Sequence, residues 1–368
     1  MKEEMPEKGS AIFLASAARQ MAMIKRCLEA ESHCRRHETC VYALGTALQV
    51  LGVSYLPDFR AIAAEKQSKR PANGKHRAYG AARLGAELLQ VAIAPDDSKP
   101  KDHHPGVYRR HGYVSDKPRG KRSHADQTAY FVSPMPLETT VVSGVTCTSA
   151  PFTWFMLAQW LSLEELVVLG DAMMQRNTVH EGVTIEDFED VLARAERYAR
   201  EQNCRAERDG ASQRHRAARG IAKCRKALAL MVEGTDSPME TRVRLLLERY
   251  GLPRPIVNLK LVLSDRSIVF LDIAFKDAKV DVEYDGEHHR EQWQRDADRR
   301  LRIEADGWAY VQITKESWDS EEKRRRVAAL VATRIEERTG INWLLDKPLP
   351  LERVPDRRRK AWRVGQAA

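Results

Sequence analysis

Val280, Val282 and Tyr284 alternate with Asp281, Glu283 and Asp285, and just upstream Leu271, Ile273 and Phe275 alternate with Asp272 and Ala274. Period two in both runs predicts adjacent strands, each with one apolar and one polar face. Lys276-Asp277-Ala278-Lys279 between them reads as the turn. Before the strands, Val243, Leu246, Leu247 and Tyr250 recur at helical spacing behind Ser237-Pro238-Met239-Glu240. There Ser caps the helix, Pro takes its first position and Glu its third, and Gly251-Leu252-Pro253 ends it. Residues 258–263, a turn at 264–267, 268–275 and 280–285 make a three-stranded meander. A helix is predicted over about 291–305, closed by Asp306-Gly307, then a strand over 308–314 and a helix over about 319–338. The order αβββαβα is that of a mixed α/β domain over residues 233–340.

The first 232 residues pattern differently. Residues 1–60 read as mostly helical, ending near Leu56-Pro57-Asp58, and 61–125 as short strands and loops, polar, basic and rich in Gly, Pro and His. Trp154, Leu157, Leu161, Leu166, Val167 and Leu169 supply a buried helical face over 150–176. Thr184-Ile185-Glu186-Asp187 is a cap opening another helix. The expected organisation is a mixed, largely helical region over 1–190, an exposed, basic helical connection over 191–232, the α/β domain, and a basic tail over 341–368.

Composition narrows the partners. The net charge is +9, with basic residues gathered at 64–77, 101–122, 195–226 and 353–363, which favours polyanionic partners without specifying one. No run approaches the ~20 apolar residues of a membrane span. The apolar run 11–18 follows an acidic start and lacks a signal-cleavage pattern. Cysteines 27, 34, 40, 147, 204 and 224 have no framework spacing, so a reducing, cytoplasmic location is expected. Cys27, Cys34, His37 and Cys40 lack a CxxC pair and read as a chance cluster rather than a zinc site.

The candidate chemistry lies on the hairpin. A turn at 276–279 pairs Phe275 with Val280 and brings Asp272 directly opposite Glu283, with cross-strand Cβ atoms about 5 Å apart. Like charges so placed repel unless a cation shares them, and oxygen ligands of this kind suit Mg²⁺ or Mn²⁺. Asp285 is either a third ligand or a turn acid before Gly286. His288 and His289, at the strand end, have the proton affinity to act on an attacking water or leaving oxygen. Glu240 has a sufficient structural role in its capping box. Asp296 and Arg299 share one helix face, a common surface pair. Trp293, Trp308 and Trp318 read as packing residues.

Ser237-Pro238-Met239-Glu240-Thr241-Arg242, Gly251-Leu252-Pro253-Arg254-Pro255, Asp272, Glu283-Tyr284-Asp285-Gly286, His288-His289, Asp296 with Arg299, and Gly307-Trp308 follow one another in this order. In order and spacing they resemble the very-short-patch-repair-like endonucleases of the PD-(D/E)XK restriction-endonuclease-like superfamily. The Lys of Glu-x-Lys is replaced by Asp285, as is common in the branch resembled. The resemblance implies a restriction-endonuclease-like core and Mg²⁺-dependent hydrolysis of DNA. Asp272 and Glu283 would be metal ligands, and Asp285 with His288 or His289 would act on the water. Glu240 would face the metal, and Asp296 would stand beside the site. Arg299, Arg300 and Arg290 would contact phosphate.

Val145-Thr146-Cys147-Thr148-Ser149-Ala150-Pro151, leading into Trp154 and residues 163–171, resembles a region of AbiEi-type antitoxins, with Phe152-Thr153 where that family has Arg-Thr. AbiEi-type proteins bind DNA through an N-terminal winged helix, for which residues 1–60 give no clear pattern. The second reading is therefore a non-catalytic, antitoxin-like DNA-binding regulator, and RNA cleavage at the same site is a third. DNA is the expected partner, with a homodimer or a partner toxin or antitoxin protein left open.

Overall fold

The computed structural model describes residues 7–32, 40–68, 88–94, 107–108, 128–176, 182–208, 220–285 and 293–355. The chain divides into two compact units. One comprises Ala11–Met173 and Thr178–Leu228; the other comprises Ala229–Ala368 with Met174–Asn177 and Met1–Ser10. Both mix helix and strand, and no helix among the described residues is long and apolar enough to cross a membrane.

The first unit contains helix α1 (Glu7–Ser32) from Ala11 onward, α2 (Leu44–Val50) and α3 (Phe59–Ser68), so residues 61–68 are helical where short strands and loops were expected. Strands β1 (Leu89–Ile93), β2 (Val107–Tyr108) and β3 (Thr128–Val132) form a small parallel sheet in the order β1-β3-β2. A hairpin of β4 (Thr139–Val142) and β5 (Val145–Thr148) leads into α4 (Ala150–Leu157) and α5 (Leu163–Met173). The helical stretch expected over 150–176 is made of these two helices. Every residue of α4 is buried. The Val145–Pro151 block ends β5 and starts α4, with Ser149 at the cap and Pro151 in the first turn. Trp154 donates to the Leu166 carbonyl at 2.8 Å and meets the Phe188 ring edge-on. Phe188 belongs to α6 (Ile185–Arg208), which opens where Asp187 accepts from the Thr184 N–H and hydroxyl. Helix α6 buries Phe188, Val191, Leu192, Ala195 and Ala199. With α7 (Ile221–Leu228) it belongs to the first unit and is not an exposed connection. Its many arginines obscure an apolar stripe at helical spacing.

The second unit carries the αβββαβα order: α8 (Pro238–Arg249), β6 (Ile256–Val262), β7 (Ile268–Phe275), β8 (Val280–Asp285), α9 (Trp293–Ala305), β9 (Ala309–Thr314) and α10 (Glu321–Thr339). The sheet order is β6-β7-β8-β9, antiparallel except for the parallel β8–β9 pair. Val243, Leu246 and Leu247 of α8 and Val327, Val331 and Ile335 of α10 pack with Ile273, Phe275, Val280, Val282, Val311 and Ile313. Ile303 of α9 packs with Val269, Leu271, Ala274 and Trp308 in a second core. Helices therefore cover the sheet on both faces, and the strand faces expected to be polar are themselves roofed by α9.

Residues 341–355 are not a free tail. Leu345 N–H donates to the Tyr250 carbonyl and Leu349 N–H to the Arg249 carbonyl, each at 2.8 Å. Trp343 and Leu344 pack on the core. Carbonyls at a helix end need donors, and this segment supplies them to α8.

Candidate active site

The turn fixes the hairpin register. Lys276–Ala278 form a 3-10 turn closed by Lys279 in the left-handed region (φ 49°). Phe275 pairs with Val280, Ala274 with Asp281 and Ile273 with Val282, the predicted register. The ladder stops there, so Asp272 and Glu283 stand one position beyond the last paired residues. On the other side of β7, pairing with β6 also lapses at Asp272, opposite Asn258, which has φ 47°. Leu271 packs in the α9-side core and Ile273 in the α8-side core, so the strict alternation expected of this strand is interrupted at Asp272. A half-buried carboxylate thus sits where β7 parts from both neighbours.

Along β8, Asp281, Glu283 and Asp285 lie beside Tyr310, Gln312 and Thr314 of the parallel β9. Arg299 reaches in from α9. Glu283 is only 1 % exposed, and both its oxygens are engaged. Oε1 accepts from the Arg299 guanidinium in an ion pair, and Oε2 accepts from the Tyr310 hydroxyl at 2.7 Å. Arg299 also donates to the Phe270 carbonyl. Burial alone would lower the proton affinity of Arg299, but the charges of Glu283 and Asp272 raise it overall. Burial and the Glu283 charge likewise raise the Tyr310 hydroxyl. The guanidinium expected to contact phosphate is thus committed within the protein to a carboxylate.

Asp281 is fully buried; its oxygens meet no N–H or hydroxyl donor, only the neighbouring Glu283 carboxylate. Burial first, then the charges of Glu283 and Asp272, push its proton affinity well up, against the pull of Arg299. On the α8 side Glu240 is 5 % exposed. Its N–H donates to Ser237 Oγ at 3.2 Å, and its Oε2 accepts from Asp236 N–H at 2.9 Å. The Ser237 cap is the one expected, whereas the carboxylate takes the Asp236 N–H in place of the cap residue's own; burial and the Asp272 charge also raise its proton affinity well above the ordinary value. Glu240 thus serves the helix start and also lies within the field of Asp272.

Asn258 donates to the Gly234 carbonyl at 2.6 Å and, at the outer limit of 3.5 Å, to Glu240 Oε2. Its own oxygen accepts from Arg176 at 2.9 Å, and Arg176 also pairs with Asp236 and lies over the Phe270 ring. Asp285 lies at the end of β8, where its Oδ2 accepts from Gln312 at 2.8 Å. Arg300 pairs with Glu304 on the surface of α9 and stands over the Tyr310 ring. His288, His289 and Arg290 lie outside the described residues, as does the side chain of Asp296.

The structure thus draws Glu240, Asp272, Asp281, Glu283 and Arg299 into one electrostatic cluster. Comparison of the chain with protein-family models, curated proteins and solved structures finds no match. Tyr310, Gln312, Asn258 and Arg176 were not foreseen as neighbours of the cluster. An Asn within strand β6 is the local signal that could have marked Asn258, because Asn is depleted in strands and tolerates positive φ.

Among the described residues, no three Asp, Glu, His or Cys side chains converge closely enough to hold one ion as they stand. The donor set is nevertheless all oxygen, as Mg²⁺ prefers, and the two donorless oxygens of Asp281 are what a buried carboxylate leaves for a proton or a cation.

Proposed function

We propose that the second unit is a divalent-cation-dependent DNA endonuclease of the restriction-endonuclease-like kind. One observation carries this reading: the carboxylates of Asp272, Asp281 and Glu283 gather at the Arg299 guanidinium, with Glu240 joined to them through Asp272, where the pairing of β7 lapses. Such a concentration of acids is costly to fold without a compensating cation. The order of elements and the net charge of +9 are in keeping with a DNA-cleaving domain.

In this reading Asp272 and Glu283 hold Mg²⁺ or Mn²⁺. The ion would lower the proton affinity of a water and neutralise charge developing on the phosphate. Asp285, beside Gln312, and His288 or His289 would orient or deprotonate that water. Tyr310 fixes the rotamer of Glu283, and Arg299 holds the acids together until the ion is bound. Arg300, exposed on α9, would meet the DNA backbone.

The test is cleavage of single-stranded, double-stranded and mismatched DNA with Mg²⁺, comparing the parent with Asp272→Ala. Metal-dependent cleavage lost in the variant supports the enzyme. DNA binding retained without cleavage of any substrate favours the antitoxin-like regulator. Cleavage confined to structured RNA in the same assay moves the substrate class.

A further inference from the structure

The resemblance to a nuclease motif gives no role to Asp281, yet it is the most conspicuous acid in the unit. It lies on the polar face of β8, two residues from Glu283 on the same side of the strand, directly opposite Ala274 of β7. It is fully buried, and its carboxylate meets no N–H or hydroxyl donor, only the Glu283 carboxylate beside it. The other acids differ in this respect. Glu283 is held by Arg299 and Tyr310, Glu240 by the Asp236 N–H, and Asp285 by Gln312. A buried carboxylate without a donor is costly, and a sequence that keeps one gains something from it.

We propose that Asp281 is a third, inner oxygen ligand to the divalent cation held by Asp272 and Glu283. The proposal rests on the nuclease reading and goes beyond it, since it assigns the deep end of the site to a residue outside the motif. Three features support it. Asp281 follows the face that carries Glu283. It interacts with both Asp272 and Glu283. Its neighbour across the ladder is Ala274, whose small side chain leaves the carboxylate no partner there. Asp285, the ligand the motif would favour, is engaged with Gln312 at the outer end of the strand. Because the acids do not yet converge, binding draws them in, and Glu283 exchanges its contact with Arg299 for the ion.

The experiment is titration of the full chain with Mn²⁺, read by calorimetry, for the parent, Asp281→Asn, Asp272→Asn and Asp277→Asn, the last an exposed turn acid serving as control. The expected result is Mn²⁺ binding by the parent and by Asp277→Asn, and affinity lowered at least about tenfold in both Asp281→Asn and Asp272→Asn. Binding lost in Asp272→Asn but at parental affinity in Asp281→Asn overturns the role of Asp281 and leaves the nuclease reading standing. No binding by the parent overturns both. Should Asp281→Asn fail to fold, a crystal of the parent with Mn²⁺ decides. An anomalous peak within coordination distance of an Asp281 oxygen supports the assignment; a peak ligated by Asp272 and Glu283 without Asp281 overturns it.

Discussion

The Tyr310 hydroxyl donates to Oε2 of Glu283 at 2.7 Å across the parallel β8–β9 pair, fixing one oxygen of a carboxylate whose other oxygen belongs to Arg299. Removing that hydroxyl alone, in Tyr310→Phe, keeps the ring under Arg300 and leaves Oε2 without a donor. Because Glu283 is buried, the expected cost is about 1–3 kcal/mol. Urea unfolding measures it, and an unchanged midpoint would mean that the hydroxyl does not hold Glu283.

Arg299 is the one cation in the cluster among the described residues, so Arg299→Gln should be the most damaging single change there. Breaking a buried pair from one side costs about 3–5 kcal/mol, since the charge left behind is uncompensated. The loss should be largest in EDTA and should shrink when Mg²⁺ is added, because the ion can take over the counter-charge. Thermal unfolding with and without Mg²⁺ checks both parts. Equal loss in the two buffers counts against exchange of the guanidinium for a cation.

Glu240 makes stability pH-dependent in a direction opposite to an ordinary ion-paired acid. Burial and the Asp272 charge raise its folded-state proton affinity. As pH rises above the usual carboxyl range near about 4, the unfolded chain releases this proton while the native protein keeps it. Stability contributed by the neutral group is present below that range and is lost as pH climbs toward the folded value. Glu240→Gln removes this dependence. Without divalent ions, its stability relative to the parent should improve steadily from acid toward neutral pH. Parallel stability curves for the two proteins between about pH 4 and 8 would falsify the assignment.

Gly251 ends α8 at φ 93°, and a Cβ there would sit 2.7 Å from Leu345 Cγ and 2.8 Å from the Trp343 carbonyl. Gly251→Ala therefore meets both an unfavourable backbone conformation, costing about 1–2 kcal/mol, and a clash with the docked segment. It should destabilise by more than the backbone cost alone. A shortened chain ending at residue 340 separates the two effects in urea unfolding. If segment 341–355 docks as described, the alanine costs less there than in the full chain.

Much of the second unit was legible because its rules are local. Ser237 followed by Pro238 and Glu240 encodes a capped helix start, and a four-residue turn sets a hairpin register one pair at a time. That Asp272 and Glu283 both lie one step beyond the Ile273–Val282 pair followed from that register. The interruption at Asp272 did not, because it depends on Asn258 in a neighbouring strand, and a period-two pattern carries no mark of a lapse in pairing. Helix α6 shows the same limit from the other side: its arginines are local, whereas burial of Phe188 and Val191 depends on α4 being there to receive them.

The sequence by itself determined the order of elements, the hairpin and the acids on its polar face. It could not say whether that face met water. Only the tertiary structure decided this, by laying α9 over β8 and β9 and α8 over the opposite face. A helix roof turns alternating acids from solvated surface charges into buried ones, and burial is what makes Glu283 require Arg299 and Tyr310, raises Glu240 and leaves Asp281 with two donorless oxygens. Those consequences depend on which distant residues share a low-dielectric space, and such proximity is a property of the packed fold rather than of any segment within it.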